Sequence, residues 1–520
     1  MSPTITLDWV LALVPELSLL ILLAIVLFYD RLIKPEDRRR IGLLTAWGAF
    51  ITLLLTMGLW LGLDQPNNLT GTSEIIWGGM IRFDLVTLVF RVMFLVALMV
   101  TSLISLDVPR LQKGEYYALL ITGTIGFSLM AASADLIMIY VALETASISS
   151  YILAGFVTNE KRSAEAGMKY FVYGAFATAV MLYGMSLLYG ITGQTNLYQI
   201  GPLAMSLPSA GDMQQMLQSG QIAAGDVGFV QGINSVFLLA AVMIVVGFGF
   251  KISAVPFHFW TPDVYEGAPT PFTGFVSTAS KAAGFAVFIR VFTAGALGKP
   301  ADSSMWWAML VAMTIITMTL GNFVAIFQTN FKRLLAYSSI AQAGYALIGL
   351  VTLTSDGSGA TMYYLLMYIF TNIAAFGVIV VVSNRIGSDE LKDFSGLSRR
   401  SPYLALVMLF ALLSLSGIPP TAGFFGKFFL FRSAVDAGLW WLALIGILNA
   451  FVGLYYYLSA VKYMYLYRSE DEEDTIPVSR GTQLGLAVST FFIFYLGIFA
   501  GPAFEWTRQA ATAFFSLVSG

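Results

Sequence analysis

Apolar runs as long as a bilayer is thick recur along the whole of this 520-residue chain, and they restrict its fold more than any other feature. A helix needs about 20 predominantly apolar residues to cross the hydrocarbon core of a membrane. Inside that core only helices and closed barrels satisfy their own backbone hydrogen bonds. Only 11% of the residues are charged, where a soluble chain carries roughly a quarter. The sequence therefore predicts an all-α membrane protein.

We expect about fourteen membrane-spanning helices, at 9–29, 41–63, 79–105, 116–132, 134–157, 167–191, 233–262, 272–296, 304–328, 333–354, 361–384, 402–436, 439–467 and 482–504. The first run is too long for a signal peptide and has no basic residues before it, so we expect it to be the first spanning helix. The seventh and twelfth runs contain proline in their interiors. Proline interrupts a helix, which predicts that these two are broken.

Basic residues orient this set of helices through the positive-inside rule. Seventeen lie in or beside loops that follow odd-numbered spans: Arg31, Lys34, Arg38, Arg39, Arg40, Arg110, Lys113, Lys161, Arg162, Lys332, Arg333, Arg385, Lys392, Arg399, Arg400, Arg468 and Arg480. The loops after even-numbered spans and the C-terminal tail contain only Lys299 and Arg508, with Arg82 near a boundary. We therefore expect the odd loops to be cytoplasmic or stromal, and both termini to lie on the other side.

Several kinds of site are excluded by composition. The chain has no cysteine, so it cannot ligate an iron–sulfur cluster through thiolates or form a zinc ribbon. Its single histidine cannot supply bis-histidine haem ligation. A net charge of −2 with no basic patch does not favour nucleic acid. We expect no redox cofactor and no metal bound by this chain.

Four charged residues fall near mid-depth in the predicted helices: Glu144, Lys251, Lys281 and Lys427. Charge at that depth costs several kcal/mol unless it is paired or hydrated, so these residues are functional candidates. A purely structural ion pair between Glu144 and one lysine is the simpler interpretation. One carboxylate cannot neutralise three lysines, however, so at least two must be hydrated, hydrogen-bonded or neutral.

Other charges lie nearer helix ends, where long side chains can reach the membrane interface. This interpretation is preferred for Arg290, Arg432 and Lys462, and for Lys169 it is balanced against a role in function. Glu16 and Arg91, inside the first and third helices, have no explanation from the sequence.

The two interrupted helices place charge beside proline. Lys251 precedes Pro256 by five residues and His258 follows it by two, whereas Lys427 comes after the prolines of its helix. Broken helices with charge at the break, one in each half, suggest an inverted repeat around a site at the membrane midplane. Desolvation favours the neutral form of a lysine and a nearby carboxylate favours the charged form. A carboxylate and lysines at one depth therefore suit proton transfer, with His258 as a candidate relay.

Three blocks of sequence resemble the antiporter-like subunits of respiratory complex I: GFKISAVPFHFWTPDVYEGAPTP leading into STASK, NFKRLLAYSSIAQAGY, and LSLSGIPPTAGFFGKFFLF. The resemblance covers nearly all of spans four to thirteen. It implies two inverted five-helix repeats at 116–296 and 304–467, after a three-helix segment at 1–115 and before a C-terminal helix and tail at 482–520. It also implies functional roles for Glu144, Lys251, Lys281 and Lys427, and less directly for Lys169 and His258.

Lysine in GFFGKFF is similar to the subunit 2 (bacterial N) type, and several blocks resemble the plastid and cyanobacterial B type. The chain ends soon after span fourteen, without the lateral helix expected of subunit 5. The resemblance implies a thylakoid membrane, with both termini lumenal. Partner membrane and peripheral subunits would then oxidise NAD(P)H or ferredoxin through iron–sulfur clusters and reduce plastoquinone, while this chain moves protons. Two alternatives stay open, which are an Mrp-type cation/proton antiporter subunit and a purely structural membrane subunit.

Overall fold

The computed structural model describes residues 7–63, 74–205, 215–216, 218–219, 224–293, 305–468 and 475–516. Within these ranges the chain is almost entirely helical, and its one sheet is an antiparallel hairpin of β1 (Glu74–Ile76) and β2 (Ile81–Phe83). The first helices are α1 (Leu7–Leu11), α2 (Val14–Leu32), α3 (Arg39–Leu63), α4 (Leu85–Ile104), α5 (Gly114–Ala132), α6 (Leu136–Ala154), α7 (Lys161–Thr192), α8 (Leu197–Met205), α9 (Ala224–Ile252) and α10 (Trp260–Gly267).

The remaining helices are α11 (Thr270–Phe275), α12 (Lys281–Phe288), α13 (Met305–Ala325), α14 (Phe331–Val351), α15 (Ser355–Ile386), α16 (Leu397–Arg400), α17 (Pro402–Ser416), α18 (Ala422–Asp436), α19 (Trp440–Leu466), α20 (Arg480–Ile498) and α21 (Ala500–Ser516). Two π-helical turns, Val276–Ser280 and Ile289–Thr293, join α11 to α12 and extend α12. Single 3₁₀ turns lie at Pro35–Asp37, Ser105–Asp107, Pro109–Leu111 and Leu391–Phe394.

The predicted all-α, multi-span fold class is confirmed. Each predicted span coincides with a helix or a pair of helices, and eleven helices within the described residues are long and apolar enough to cross a membrane. The other three predicted spans are helical at α2, at α5 and at the pair α17–α18. The number fourteen therefore stays a prediction.

The loops that follow odd-numbered predicted spans meet at one end of the molecule, which we call the basic end. Arg39 forms an ion pair with Asp107 at 3.0 Å, and Lys332 pairs with Asp389 at 3.0 Å. A polar cavity of about 680 Å³ lies between these loops. The contacts bring together segments that follow the first, third, ninth and eleventh spans, as an alternating topology requires. Which compartment the basic end faces stays a prediction.

Segments that follow even-numbered spans meet at the opposite end. Ile81 of the hairpin forms a bridge with Ser133 after α5, and Asp135 forms one with Asn196 after α7. The Asn196 side chain donates to the carbonyl oxygen of Gly79 at 2.8 Å. Contacts of the hairpin and of its neighbours therefore join the segments that follow the second, fourth and sixth predicted spans.

Two helical segments are buried throughout, and one of them contains the candidate residue Lys281. The most apolar stretches of α15 and of the continuous segment Thr270–Phe292 are wholly buried, whereas only a third of the corresponding stretch of α19 is. A helix that is apolar on all faces and buried throughout belongs to the interior of a bundle. Lys281 lies on one of these central helices, so the fold places it away from lipid.

Both predicted interruptions are present. In the seventh predicted span α9 ends at Ile252 and α10 begins at Trp260. In the twelfth, α17 ends at Ser416 and α18 begins at Ala422. The inverted relation of the two repeats and the four segment boundaries stay predictions.

Candidate functional site

Lys251 lies at the C-terminal end of a half-helix, because α9 stops one residue later. Ser253 adopts a left-handed backbone conformation (φ 63°), and the amide of Val255 donates to the Thr317 hydroxyl at 3.0 Å. The indole of Trp260 donates to the carbonyl oxygen of Phe250 at 3.1 Å. Protein groups therefore satisfy the backbone that the break releases. A helix C-terminus has a partial negative charge, which favours a cation at this position.

The amine of Lys251 points towards the helix that contains Glu144. Lys251 is buried, and its Nζ donates to the hydroxyl of Ser147 at 3.1 Å. Ser147 follows Glu144 by three residues on α6, so the two share a helix face. Within the described residues Glu144 forms no ion pair within 4.0 Å, and no side chain or backbone group there donates a hydrogen bond to its buried Oε1. Lys251 thus contacts the helix of Glu144 through a serine hydroxyl, and among the described residues it forms no ion pair with the carboxylate.

Lys281 begins α12 directly after a π-helical turn, a rare conformation that is frequent at functional sites. Its Nζ donates to the carbonyl oxygen of Ser339 at 2.7 Å and to the hydroxyl of the same residue at 2.5 Å. One turn later, a Cβ atom on Gly284 would lie 3.4 Å from Cγ of Lys251. The glycine therefore lets α9 pack closely against α12 and brings the stem of Lys251 beside the helix that contains Lys281.

Lys427 spans the second break. Its helix, α18, is the second half of the interrupted pair, and its Nζ donates back to the carbonyl oxygens of Leu415 and Ser416 at 2.9 and 3.1 Å. These carbonyls end α17 and have no partner in their own helix. The ammonium also lies 4.7 Å from the centroid of the Tyr345 ring. Gly417 has φ 86°, and a Cβ there would lie 3.1 Å from Cδ of Lys427, so the break needs glycine.

Gln342 connects the sites of Lys281 and Lys427. It follows Ser339 by three residues on α14, and its Nε2 donates to the same Leu415 carbonyl that accepts from Lys427, at 3.1 Å. Nε2 also donates to the Tyr457 hydroxyl at 3.0 Å. We call the set Glu144, Ser147, Lys251, Lys281, Ser339, Gln342 and Lys427 the central polar row; all of them are buried except Glu144, which is partly buried. Sequence reasoning missed Ser147, Ser339 and Gln342; the signal for the last two was a polar pair at helical spacing within a predicted spanning helix.

The row contains three buried lysines and one carboxylate. In the described part of the chain, neither Lys281 nor Lys427 has a carboxylate oxygen within 4.0 Å. Each instead donates to two acceptors, at least one of them a backbone carbonyl. A buried ammonium without a counterion is costly, and neutralisation by loss of a proton is one way to avoid that cost. The arrangement is therefore suited to gain and loss of protons.

Lys169 lies outside the central polar row. Its side chain is 37% exposed, and its Nζ forms ion pairs with Asp263 at 2.6 Å and with Glu165 at 2.7 Å. Arg333 joins the same cluster through Asp263 at 2.9 Å and Glu266 at 3.1 Å. The structure thus places Lys169 in a charged network near the basic end that links α7, α10 and α14. A role for Lys169 in function stays a prediction.

His258 lies within the break of the seventh helix. The residue is buried and its ring stacks against Phe259, with centroids 4.5 Å apart. No described residue forms a hydrogen bond with its buried Nδ1. The relay role of His258 also stays a prediction.

Two buried ion pairs account for charges that the sequence left unexplained or explained wrongly. Arg91 donates to Glu16 at 2.7 Å and to the Ser128 hydroxyl at 3.0 Å, so these helices are held by a paired charge. Arg290 is fully buried and makes a bidentate contact with Asp84, at 2.8 and 3.0 Å. The prediction that Arg290 extends to the membrane interface is wrong, because Arg290 is buried and paired with Asp84, which directly follows the hairpin.

Arg432 and Lys462 are both exposed, and their predicted extension to the membrane interface stays a prediction. The Arg432 side chain is 64% exposed and lies 3.5 Å from Asp436, one turn along α18. Lys462 is exposed on α19 and lies 5.3 Å from the ring centroid of Tyr467. Neither contacts the central polar row, so both positions provide matched controls for substitutions within it.

Comparison with known proteins finds relatives along nearly the whole chain. Residues 133–453 match the family described as NADH:quinone oxidoreductase/Mrp antiporter, TM. The chain is 43% identical over 487 residues to NADH-quinone oxidoreductase subunit N of Moorella thermoacetica, which is 93% of this chain and 94% of the relative. It is 39% identical over 510 residues to NAD(P)H-quinone oxidoreductase subunit 2 of Nostoc punctiforme. The match covers 95% of this chain and 89% of that relative.

Among solved structures, the chain is similar to one chain of respiratory complex I from Thermus thermophilus with bound aureothin. That similarity has a TM-score of 0.73 at 29% sequence identity and covers 94% of this chain and 98% of the other. A chain of the Mrp complex from Dietzia gives a TM-score of 0.80 at 19% sequence identity, and the match covers 99% of this chain and 100% of the other. At that identity the second similarity shows the fold alone.

Proposed function

Since the chain belongs to the NADH:quinone oxidoreductase/Mrp antiporter transmembrane family, we propose that it is the proton-translocating, N-type membrane subunit of a complex I-type quinone oxidoreductase. The observation that carries this proposal is the central polar row. Three buried lysines with a single carboxylate form an arrangement that is unfavourable while every lysine is charged, and transfer of a proton from one amine to the next relieves it.

The first step assigned to this chain takes place between Glu144 and Lys251. A proton on Lys251 is stabilised by the C-terminus of α9, by the Ser147 hydroxyl at 3.1 Å and by the charge of Glu144. When Glu144 is neutralised, the ammonium loses its only nearby anion within the row and is more easily deprotonated. The Ser147 hydroxyl can donate to a neutral amine as readily as it accepts from a charged one. The contact therefore persists in both states.

The second step connects Lys281 to Lys427 along α14. Lys281 donates to Ser339, and Gln342, one turn further, shares the carbonyl of Leu415 with Lys427. Loss of the proton from Lys427 leaves Leu415 accepting from Gln342, so that carbonyl keeps a partner. Gaps between the amines are wider than a hydrogen bond, and water is the group that would carry protons across them.

Oxidation and reduction are assigned to partner subunits in this proposal. NAD(P)H or ferredoxin, iron–sulfur clusters and a quinone would be bound there, and the energy of quinone reduction would drive the titration of the central polar row. The narrower form of the proposal is plastoquinone reduction in a thylakoid membrane with lumenal termini. The 39% identity to the Nostoc subunit 2 supports that form, and the 43% identity to the Moorella subunit N supports a broader NADH–quinone form.

The experiment that tests the proposal measures protons moved per electron in vesicles that contain the assembled complex. Lys251→Ala and Lys427→Ala are expected to lower this ratio while quinone reduction and assembly persist. The matched control is Lys462→Ala, which removes an exposed lysine and is expected to leave the ratio unchanged. A normal ratio in both row variants would support the structural-subunit alternative. Proton movement that requires sodium would support the Mrp-type antiporter.

A further inference from the structure

The amines of Lys251 and Lys281 donate to two different helices. Lys251 donates to the hydroxyl of Ser147 on α6, whereas Lys281 donates to Ser339 on α14. Close packing at Gly284 brings the helices of the two lysines together, but a glycine supplies no polar side chain. A proton that moves along the central polar row therefore needs other polar groups to cross from the first lysine to the second.

Two buried tyrosines, Tyr151 and Tyr170, connect these two sites. Tyr151 follows Ser147 by four residues on α6, and its hydroxyl lies next to the hydroxyl of that serine. The hydroxyl of Tyr170, on α7, lies next to that of Ser280. The two tyrosine rings are in contact, with centroids 4.8 Å apart and planes at 83°. These contacts run from Ser147 to Ser280, which directly precedes Lys281.

Packing fixes both tyrosine rings in place. The ring of Tyr170 stacks on that of Trp260 with centroids 4.4 Å apart, and the Trp260 indole is itself bonded to the Phe250 carbonyl at the helix break. A Cβ atom on Gly174, one turn beyond Tyr170 on α7, would overlap the hydroxyl of Tyr151. The glycine therefore lets that hydroxyl reach the face of α7 on which Tyr170 lies.

Four buried polar atoms in this cluster form no hydrogen bond with any residue that the structure describes. They are Oε1 of Glu144 and the hydroxyl oxygens of Tyr151, Tyr170 and Ser280. Buried polar groups nearly always have a partner, and one buried water molecule commonly satisfies about three of them. In a dry aromatic cluster a hydroxyl without a partner lowers stability, and phenylalanine would pack as well. The cluster therefore indicates bound water among the hydroxyls.

We propose that Tyr151 and Tyr170 form a hydrated hydroxyl bridge that carries protons between Lys251 and Lys281. A hydroxyl can accept a proton from one neighbour while it gives its own proton to the next. One proton thus leaves one amine and one reaches the other, no tyrosine stays charged, and no group is oxidised or reduced. The inference rests on the proposed function, because it supplies the connection between the first step and the second.

The test removes the two hydroxyls and keeps the rings, by Tyr151→Phe and Tyr170→Phe in the assembled complex in vesicles. The double variant is expected to lower the ratio of protons to electrons as far as Lys251→Ala does, because a group that transfers protons contributes on the order of 10²–10⁴ in rate. The melting temperature should stay the same, since the ring contacts remain. Tyr116→Phe is the matched control, a buried tyrosine whose hydroxyl lies 3.1 Å from that of Ser105, outside the row.

Two further measurements separate proton transfer from packing. Proton uptake should slow more in heavy water for each single variant than for the unchanged protein, whereas altered packing alone would not enlarge this isotope effect. Electron cryomicroscopy of the assembled complex, at a resolution that shows water, should place a water molecule within hydrogen-bond distance of the Tyr170 and Ser280 hydroxyls. Tyr170→Phe should lose that water.

The outcomes distinguish the bridge from the proposed function. Dry contact around both tyrosine hydroxyls would overturn the bridge. So would a normal ratio of protons to electrons in the double variant while Lys251→Ala lowers that ratio, and the proposed function would then stand. A normal ratio in Lys251→Ala would overturn the proposed function and the bridge with it.

Discussion

Replacement of Lys281 by methionine is expected to stop proton transfer through the central polar row and to leave the protein about as stable as before. The two hydrogen bonds from Nζ to Ser339, at 2.7 and 2.5 Å, are of the charged kind that contributes roughly 1.5–3 kcal/mol each. They are worth about 3–6 kcal/mol together. Removal of the ammonium from water costs several kcal/mol, and no carboxylate within 4.0 Å among the described residues offsets that cost.

These opposing contributions nearly cancel, and the partners of Lys281 are not left stranded by the change. The backbone carbonyl of Ser339 lies within α14 and still accepts a hydrogen bond from the backbone of that helix. The hydroxyl of Ser339 is 3.4 Å from the hydroxyl of Tyr265. Methionine is similar to lysine in length and fills the same space. We therefore expect the free energy of unfolding to change by less than about 2 kcal/mol, which thermal unfolding of the assembled complex would show as a shift of a few degrees.

The functional effect is expected to be much larger. A residue that transfers protons in a relay typically contributes on the order of 10²–10⁴ in rate, so the proton flux through this subunit should fall by roughly 10² or more. The assay compares proton uptake with quinone reduction in the same vesicles. Lys462→Met is the control, since it removes an exposed lysine and should change neither quantity.

A second substitution separates titration from charge. Lys281→Arg keeps a positive charge but cannot release a proton under these conditions. If the amine must lose its proton, this variant should fail in the same way as Lys281→Met. Normal pumping in either variant would refute the reasoning, as would a loss of pumping in Lys281→Met that is restored by arginine.

Three further substitutions have expected outcomes. Gln342→Leu removes the bond to the Leu415 carbonyl and should lower the proton-to-electron ratio, with a loss of stability of about 1–3 kcal/mol measured by thermal unfolding. Asp84→Asn leaves Arg290 buried without its counterion, which should destabilise the protein by about 3–5 kcal/mol; Asp84→Asn with Arg290→Met should recover most of that, and additive losses would contradict the ion pair. Gly417→Ala forces a side chain into a left-handed conformation, which should cost about 1–2 kcal/mol and lower the melting temperature, whereas an unchanged melting temperature would refute it.

Much of the fold follows from the sequence, because apolar run length and proline position act locally. The breaks at Ile252 and Ser416 fall where proline interrupts the two long runs. The predicted depth of Lys251 and Lys427 comes from their positions along the same runs and stays a prediction. Such features need no knowledge of which helices touch, so the sequence alone is sufficient to predict them.

Features that depend on which helices pack together were not predictable in this way. Arg290 is close to the end of its helix, which suggests an exposed side chain, but Asp84 reaches it across 206 positions of sequence. Gln342 and Ser339 form a polar pair at helical spacing, but no local feature shows that the carbonyl of Leu415 lies beside Gln342. In both cases the partner lies on a helix that is distant along the chain, so no local pattern identifies it.

The claim that buried lysines of the central polar row change protonation during turnover is tested most directly by infrared difference spectroscopy of the assembled complex. The complex is labelled with ¹⁵Nζ-lysine, and spectra are compared before and during quinone reduction. We predict isotope-sensitive ammonium bands that change with turnover and lose amplitude in Lys281→Met but not in Lys462→Met. Bands that are constant through turnover, or that change equally in both variants, would contradict the account.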